Sequence, residues 1–278
     1  MKLRYLGTAA AEGWPGVFCN CDYCKKAKEL GGKNIRSRSQ TLINDDLLID
    51  FPVDTYYHFA LNKLDLSKVK YCFVTHSHID HFAPIDLIFR VEGGFSHMIA
   101  EPIMKLFGNE RVLMRYDHFI TKTAEIDTPP QTELCEIKAY QPIFVDGYKV
   151  TPLPANHAPK ENAFVFLVEQ NGKVLLYLND TGLLSDDVYD YLKSNNIRAD
   201  LISYDCTYVI QKAGGGHLGF DTVQIVRDRL SKSGIADENT KHIVTHFSHN
   251  GFLLHDELAA EAEKLGFIAA FDGMEIEI

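Results

Sequence analysis

Short apolar runs recur through both halves of the chain, and several are continuous rather than alternating. In the first half they fall at residues 2–6, 40–44, 47–50, 71–75 and 98–100; in the second at 149–154, 163–169, 173–179, 201–205, 242–245 and 270–278. Continuous runs of this length read as strands buried on at least one sheet face. Asn171-Gly172, between two of them, is a type I′ hairpin signal, and Asn44-Asp45-Asp46 is a weaker turn of the same kind. Helical periodicity covers 22–30, 54–60, 84–91, 186–195, 220–232 and 254–265. Strands followed by helices in both halves predict two sheets face to face with helices outside: an α/β fold, a four-layer α/β/β/α sandwich. A single domain over residues 1–278 is expected, with Thr128-Pro129-Pro130-Gln131 as a surface loop inside it.

Composition narrows the function classes. The net charge is -10, from 38 acidic and 28 basic residues. Such a surface repels nucleic-acid phosphates, so no extended nucleic acid is expected as a partner. A small substrate in a locally positive pocket remains compatible with it. No apolar run approaches the roughly 18–20 residues of a membrane helix, so no membrane partner is expected. The start, Met1-Lys2-Leu3-Arg4-Tyr5, passes into Gly7-Thr8 without a signal-peptide core. A cytoplasmic location is the expectation.

The chemistry is concentrated after the apolar run 71–74, in Thr75-His76-Ser77-His78-Ile79-Asp80-His81. Four metal-ligating side chains, His76, His78, Asp80 and His81, arrive as a strand ends. Imidazole nitrogen and carboxylate oxygen suit zinc, manganese or iron. In such a loop alternate side chains can turn towards one metal while their neighbours face a second. The segment resembles the metallo-β-lactamase superfamily, whose signature is His-x-His-x-Asp-His. Later motifs extend the resemblance over most of the chain: His157 in Ala155-Asn156-His157-Ala158, Asp180 in Leu178-Asn179-Asp180-Thr181-Gly182, and His246 in Val244-Thr245-His246. The resemblance implies a sandwich of that family's type and a dinuclear site. His76, His78 and His157 would hold one divalent metal; Asp80, His81 and His246 the other; Asp180 would bridge them. Two such cations, about 3.5–4 Å apart, lower the pKa of a shared water so that hydroxide exists at neutral pH. Asp80 thus belongs to the implied catalytic set as well.

Cys19, Cys21 and Cys24 crowd into one short loop, while Cys72, Cys135 and Cys206 are scattered in apolar stretches and read as buried small hydrophobes. Cys-x-Cys-x-x-Cys here reads as a metal clip rather than a disulfide set. Three thiolates need a fourth ligand to close a tetrahedral site. His249 lies three residues after His246. One short turn would let His246 face the catalytic pair while His249 reaches the cysteines, giving a structural zinc. Trp14 and Phe18 flank this loop and read as loop packing. The combination resembles the PhnP group, phosphodiesterases associated with carbon–phosphorus lyase. That resemblance implies manganese in the dinuclear site, zinc at the thiolates, and a homodimer; the ligand set alone suits manganese, zinc or iron. The early loop also resembles coenzyme PQQ biosynthesis protein B, in which the His-rich signature is typically altered. Here the signature is whole, which favours an active hydrolase.

Ile202-Ser203-Tyr204-Asp205-Cys206-Thr207, followed by Gly216-His217-Leu218-Gly219, resembles the paired motifs of tRNase Z-like phosphodiesterases. By that resemblance Asp205 would orient His217, and His217 would contact the phosphate and protonate the leaving oxygen. His217 precedes the helix expected at 220–232, whose N-terminus would favour an anion. Gly214-Gly215-Gly216 allows close backbone approach to a ligand, or makes a flexible loop. The expected function is a two-metal phosphodiesterase acting on a small substrate such as a 2′,3′-cyclic nucleotide or a ribosyl cyclic phosphate. An acyl hydrolase (lactone or thioester) and a non-hydrolytic metal-binding protein are the alternatives. A tRNase role fits less well, because Asp186, Asp187, Asp190, Asp200 and Asp205 crowd the stretch before His217 with few Lys or Arg. His58, His97, His118, His242 and His255 fall outside every motif and read as surface or satisfied polar residues.

Overall fold

Side-chain alternation along the strands decides the layering. The computed structural model describes residues 1–123 and 128–278. The strands are, in chain order, β1 (Lys2–Gly7), β2 (Gln40–Ile43), β3 (Leu47–Ile49), β4 (Tyr71–Phe73), β5 (Met104–Gly108), β6 (Thr132–Glu136), β7 (Ile143–Val145), β8 (Tyr148–Pro154), β9 (Phe164–Gln170), β10 (Lys173–Leu178), β11 (Leu201–Asp205), β12 (Lys241–Thr245), β13 (Ile268–Ala269) and β14 (Met274–Glu277). The helices are α1 (Asp22–Leu30), α2 (Thr55–Asn62), α3 (Glu110–His118), α4 (Asp186–Ser194), α5 (Phe220–Lys232) and α6 (His255–Lys264). One sheet has the order β14-β1-β2-β3-β4-β5-β6, the other β13-β12-β11-β10-β9-β8-β7. Each mixes antiparallel pairs with a parallel run, β3 to β6 in the first and β10 to β13 in the second.

Leu3, Tyr5, Ile43, Leu47, Ile49 and Phe73 point from the first sheet into a core shared with Phe164, Phe166, Val168, Leu175 and Tyr177 of the second. Their neighbours Leu42, Leu48, Cys72, Val74 and Leu106 point the other way, onto Val112 and Tyr116 of α3. In the second sheet Val165, Leu167, Leu176, Leu178, Ile202 and Val244 face outwards and meet Val188, Val223, Val226 and Leu258 of α4, α5 and α6. Period-two strands buried on both faces therefore give α/β/β/α layers. Each fully buried Leu, Ile or Phe is worth about 1.5–3 kcal/mol. The β9–β10 turn is the predicted type I′ hairpin: Asn171 and Gly172 both have positive φ, 51° and 75°, and Gln170 pairs with Lys173.

Several boundaries depart from the sequence reading. Residues 98–100 form no strand, and 84–91 holds only a short 3-10 turn at Asp86–Phe89. Of the run 270–278 only β14 is a strand, starting after a turn at Gly273 (φ 86°) and pairing with β1 in the first sheet, while β13 just ahead of the run lies in the second. β5, β6, β7 and α3 have no counterpart in the expectations. β6, Thr-Glu-Leu-Cys-Glu, is a half-exposed edge strand without an apolar run, so Cys135 is only partly buried, whereas Cys72 and Cys206 are fully buried. α3 is short, and its start is fixed by Asn109, whose Oδ1 accepts from Arg111 N and Val112 N. Among the described residues no helix is long and apolar enough to cross a membrane.

Candidate metal centre

The candidate ligands stand just beyond the C-terminal ends of five strands. β4 leads to His76–His81, β8 to His157, β10 to Asp180, β11 ends on Asp205 and β12 leads to His246. Asp180 and His246 have positive φ, 56° and 63°, so the backbone turns sharply there to aim each side chain inwards.

His76, His78, His157 and Asp180 present one ligand atom each within 4.8 Å of one another, and so do Asp80, His81, Asp180 and His246. Asp180 belongs to both sets. Its Oδ2 lies 3.0 Å from His81 Nε2, 3.3 Å from His76 Nε2, 3.4 Å from His157 Nε2 and 3.8 Å from His246 Nε2. The predicted seven residues are therefore brought together in the predicted partition.

The second nitrogen of each ring decides whether this cluster fits metals. His81 Nδ1 is 2.7 Å from Asp50 Oδ2, His246 Nδ1 is 2.8 Å from Thr207 Oγ1, His76 Nδ1 is 3.0 Å from Thr75 Oγ1, and His157 Nδ1 is 3.1 Å from the Gly216 carbonyl. Each of these bonds fixes a ring and turns its Nε2 towards the centre. There, His81 Nε2 meets His246 Nε2 at 3.2 Å, and His157 Nε2 meets His78 Nδ1 at 3.2 Å. His76 Nε2 is buried without a hydrogen bond. Facing ring nitrogens and an orphaned buried ring nitrogen are what a cation would satisfy. The residues fit two divalent metals.

The electrostatics agree. Burial works against a charge on His81, but Asp50 and Asp80 outweigh it and raise its pKa well above the ordinary value. Burial, reinforced by His81, drives His76 well below its own. Burial also opposes the Asp180 carboxylate, yet His246, His217 and His81 hold it ionised, far below the usual range. This cluster stabilises positive charge, and ligating imidazoles give up their protons when a metal takes that place.

His217 and Asp205 lie beside the cluster. His217 Nδ1 is 3.1 Å from Asp205 Oδ2 and 2.8 Å from Asp180 Oδ1. Burial disfavours its charge, but the two carboxylates prevail and raise its pKa to about 11. Asp205 is fully buried, and its Oδ1 accepts from Leu218 N at 2.9 Å and Thr207 N at 3.0 Å. The amide just ahead of α5 thus serves Asp205 rather than a bound anion. Gly216 also has a structural reason: a Cβ there would sit 2.7 Å from His157 Nδ1. His217 and the ligands His78, Asp80, His157, Asp180 and His246 border a cleft of about 330 Å³ that Glu12, Tyr208, Ser248 and Asn250 help to line.

The cysteine loop closes as expected. Ligand atoms of Cys19, Cys21, Cys24 and His249 lie within 4.8 Å of one another, with Cys21 Sγ 4.0 Å from His249 Nδ1. Burial works against a thiolate at Cys21, but the Cys24 amide and the adjacent thiols and His249 outweigh it, bringing it to about 7. Burial and those same thiols push Cys24 up to about 12, so its thiolate needs a cation beside it. Gly16 packs tightly against this site: a Cβ there would lie 3.0 Å from His249 Nε2 and 3.2 Å from Cys19 Cβ, so the ligands would have to shift to admit it. This donor set suits zinc. Trp14 is buried as loop packing requires; Phe18 is not, and projects fully into solvent.

Two further residues of the site carry little signal in the sequence. Asp50 ends an apolar run and reads there as the end of a strand, but it braces His81 and accepts from Thr75 N and Oγ1. Glu161 accepts from Ser77 N and Oγ and from Asn109 Nδ2, holding the loop that carries His76 and His78. Only its place shortly after His157 could have pointed to it. Of the remaining histidines, His58, His242 and His255 are satisfied by Gln40 and Ser37, Tyr204, and Arg36.

The sequence model of the β-lactamase superfamily domain matches residues 47–233. The chain belongs to the metallo-β-lactamase superfamily. No curated protein matches it. Among solved structures it is similar over its whole length to a diphosphatase from the PhnP family (20% identity, 97% of that chain covered, TM-score 0.75). It is similar likewise to zinc-bound PqqB from Methylobacterium extorquens (19%, 100%, 0.75) and to the short form of human tRNase Z (18%, 99%, 0.65). At such identities the likeness is one of fold. The metallo-β-lactamase fold is that of a hydrolase family and implies divalent metal binding, for which the His and Asp clusters are in place.

Proposed function

We propose that this protein is a dinuclear metal-dependent phosphodiesterase acting on small, including cyclic, phosphodiesters. His76, His78 and His157 would hold one divalent metal and Asp80, His81 and His246 the other, with Asp180 between them. Cys19, Cys21, Cys24 and His249 would hold a zinc. When bound, the paired metals would activate water and neutralise charge developing on the attacked phosphoryl group.

The observation that carries the reading is His217. Its Nδ1 is held by Asp205 and lies beside Asp180, the residue shared by both ligand sets. The neighbouring carboxylates favour its protonated form, so it is placed to act as an acid. Asp205 fixes the ring, and Nε2 delivers the proton to the departing ester oxygen. An alkoxide leaving group needs that proton, whereas a thiolate leaving from a thioester does not, so the pair favours phosphodiester over thioester chemistry. The cleft of about 330 Å³ suits a small substrate. Two of the structural neighbours are named as a diphosphatase and a tRNase Z.

The test is a comparison of substrate classes. Protein loaded with manganese or zinc should hydrolyse bis(p-nitrophenyl) phosphate with kcat/KM well above that for p-nitrophenyl acetate or a thioester. Efficient acyl hydrolysis without phosphodiester turnover would overturn the reading.

A further inference from the structure

Part of the cleft lining is built from Glu12, Ser248 and Asn250. Ser248 Oγ donates a short hydrogen bond to Glu12 Oε1. The same hydroxyl accepts from Asn250 N at 3.1 Å and Asn250 Nδ2 at 3.2 Å. Glu12 Oε1 also lies 3.7 Å from His249 Nε2, which anchors the carboxylate from a second side. Glu12 Oε2 makes no hydrogen bond among the described residues, and its side chain is one-third exposed. Asn250, its amide nitrogen engaged, keeps Oδ1 as an acceptor. This part of the lining therefore offers two acceptors. The cleft lining contains no Lys or Arg; outside the ligand cluster its charged groups are Glu12 and His217, and His217 is already paired with Asp205 and Asp180.

We propose that Glu12 is a specificity determinant: it selects phosphodiesters whose ester arm is uncharged and rich in hydroxyl donors, as a ribose is, and rejects arms that carry a second phosphate. This rests on the phosphodiesterase reading of the cleft. The reacting phosphate is matched by the metal centre. An arm that extends along Glu12 and Asn250 meets two acceptors, Glu12 Oε2 and Asn250 Oδ1. A hydroxyl there donates to Glu12 Oε2 in a charge-assisted bond, one of the stronger neutral-to-ion contacts. A second phosphate there meets the like charge of Glu12, while the cation of the cleft, His217, is already paired with Asp205 and Asp180. Two like charges about 5 Å apart at an effective dielectric of about 20 disfavour binding by roughly 100-fold or more.

The test uses two substrates that differ by one group: a ribonucleoside 2′,3′-cyclic phosphate and the same molecule with a 5′-phosphate. Bis(p-nitrophenyl) phosphate serves as the reference. The wild type should favour the first in kcat/KM by about 100-fold. Glu12→Gln, which keeps the bond from Ser248, should shrink that ratio at least tenfold, and Asn250→Asp should enlarge it. Zinc content checks that each variant keeps its cysteine site; if Glu12→Gln loses it, the wild-type ratio and Asn250→Asp decide. A wild-type ratio near one, or a ratio that neither variant moves, would overturn the proposal while leaving the phosphodiesterase reading intact. Failure to hydrolyse the reference compound would instead sink that reading.

Discussion

Asp50 Oδ2 lies 2.7 Å from Nδ1 of His81, and both side chains are fully buried. The bond turns His81 Nε2 towards Asp180, while the other Asp50 oxygen ties down Thr75. Carboxylates that orient a metal-ligating imidazole typically contribute about 10–100-fold in metal affinity. Asp50→Asn should therefore weaken metal binding by about that factor with the fold intact. Competition with a chromophoric chelator measures it, and an unchanged affinity would show that Asp50 serves packing alone.

His246 and His249 sit three residues apart yet face different clusters. Cys21→Ser should then remove one zinc per chain and leave the dinuclear site able to fill. Losing even part of a structural zinc's binding energy, about 4 kcal/mol, lowers Tm by roughly 10 °C at about 2–4 °C per kcal/mol. Elemental analysis beside calorimetry checks both halves. A variant that keeps its full metal content and its Tm would contradict the four-ligand site.

His58 predicts a pH dependence of stability away from the active site. Burial lowers its pKa to about 4, with Nδ1 against Gln40 Oε1 at 2.6 Å and Nε2 against Ser37 Oγ at 2.7 Å. The unfolded chain binds this proton near pH 6.5 and the folded chain only near 4. The stabilisation is thus complete above about pH 6.5 and is lost as the pH falls through about 4. Between pH 7 and 5 the loss is about 2 kcal/mol. Urea unfolding at both values should show a shallower pH dependence in His58→Gln than in the wild type. Equal slopes would mean that His58 titrates normally.

The sequence showed the site more fully than the fold. His76, His78, Asp80 and His81 could be read because a strand end compresses them into one motif, and His157, Asp180 and His246 followed from the family resemblance, whose later motifs come in order after strand-like runs. Cys19, Cys21, Cys24 and His249 were legible from thiolate spacing plus one turn. Asp50 was not, because a carboxylate at the end of an apolar run looks like a solvent-facing stop; its role exists only once β4 and the His81 loop fold over it. β6 and β7 were missed because edge strands bury little and carry no apolar signature. α3 was missed because Val112 and Tyr116 are its only fully buried positions. Phe18 was misplaced because nothing in the sequence says whether a loop aromatic turns in or out.

The most direct test of the central claim is how the His217→Ala rate depends on the leaving group, measured over a series from p-nitrophenyl to alkyl phosphodiesters. A general acid matters little to a stable phenolate and greatly to an alkoxide. The variant should lose only about tenfold with p-nitrophenyl esters but about 10²–10⁴-fold with alkyl esters. A deficit that stays constant across the series would show that His217 only positions substrate and delivers no proton to the leaving oxygen.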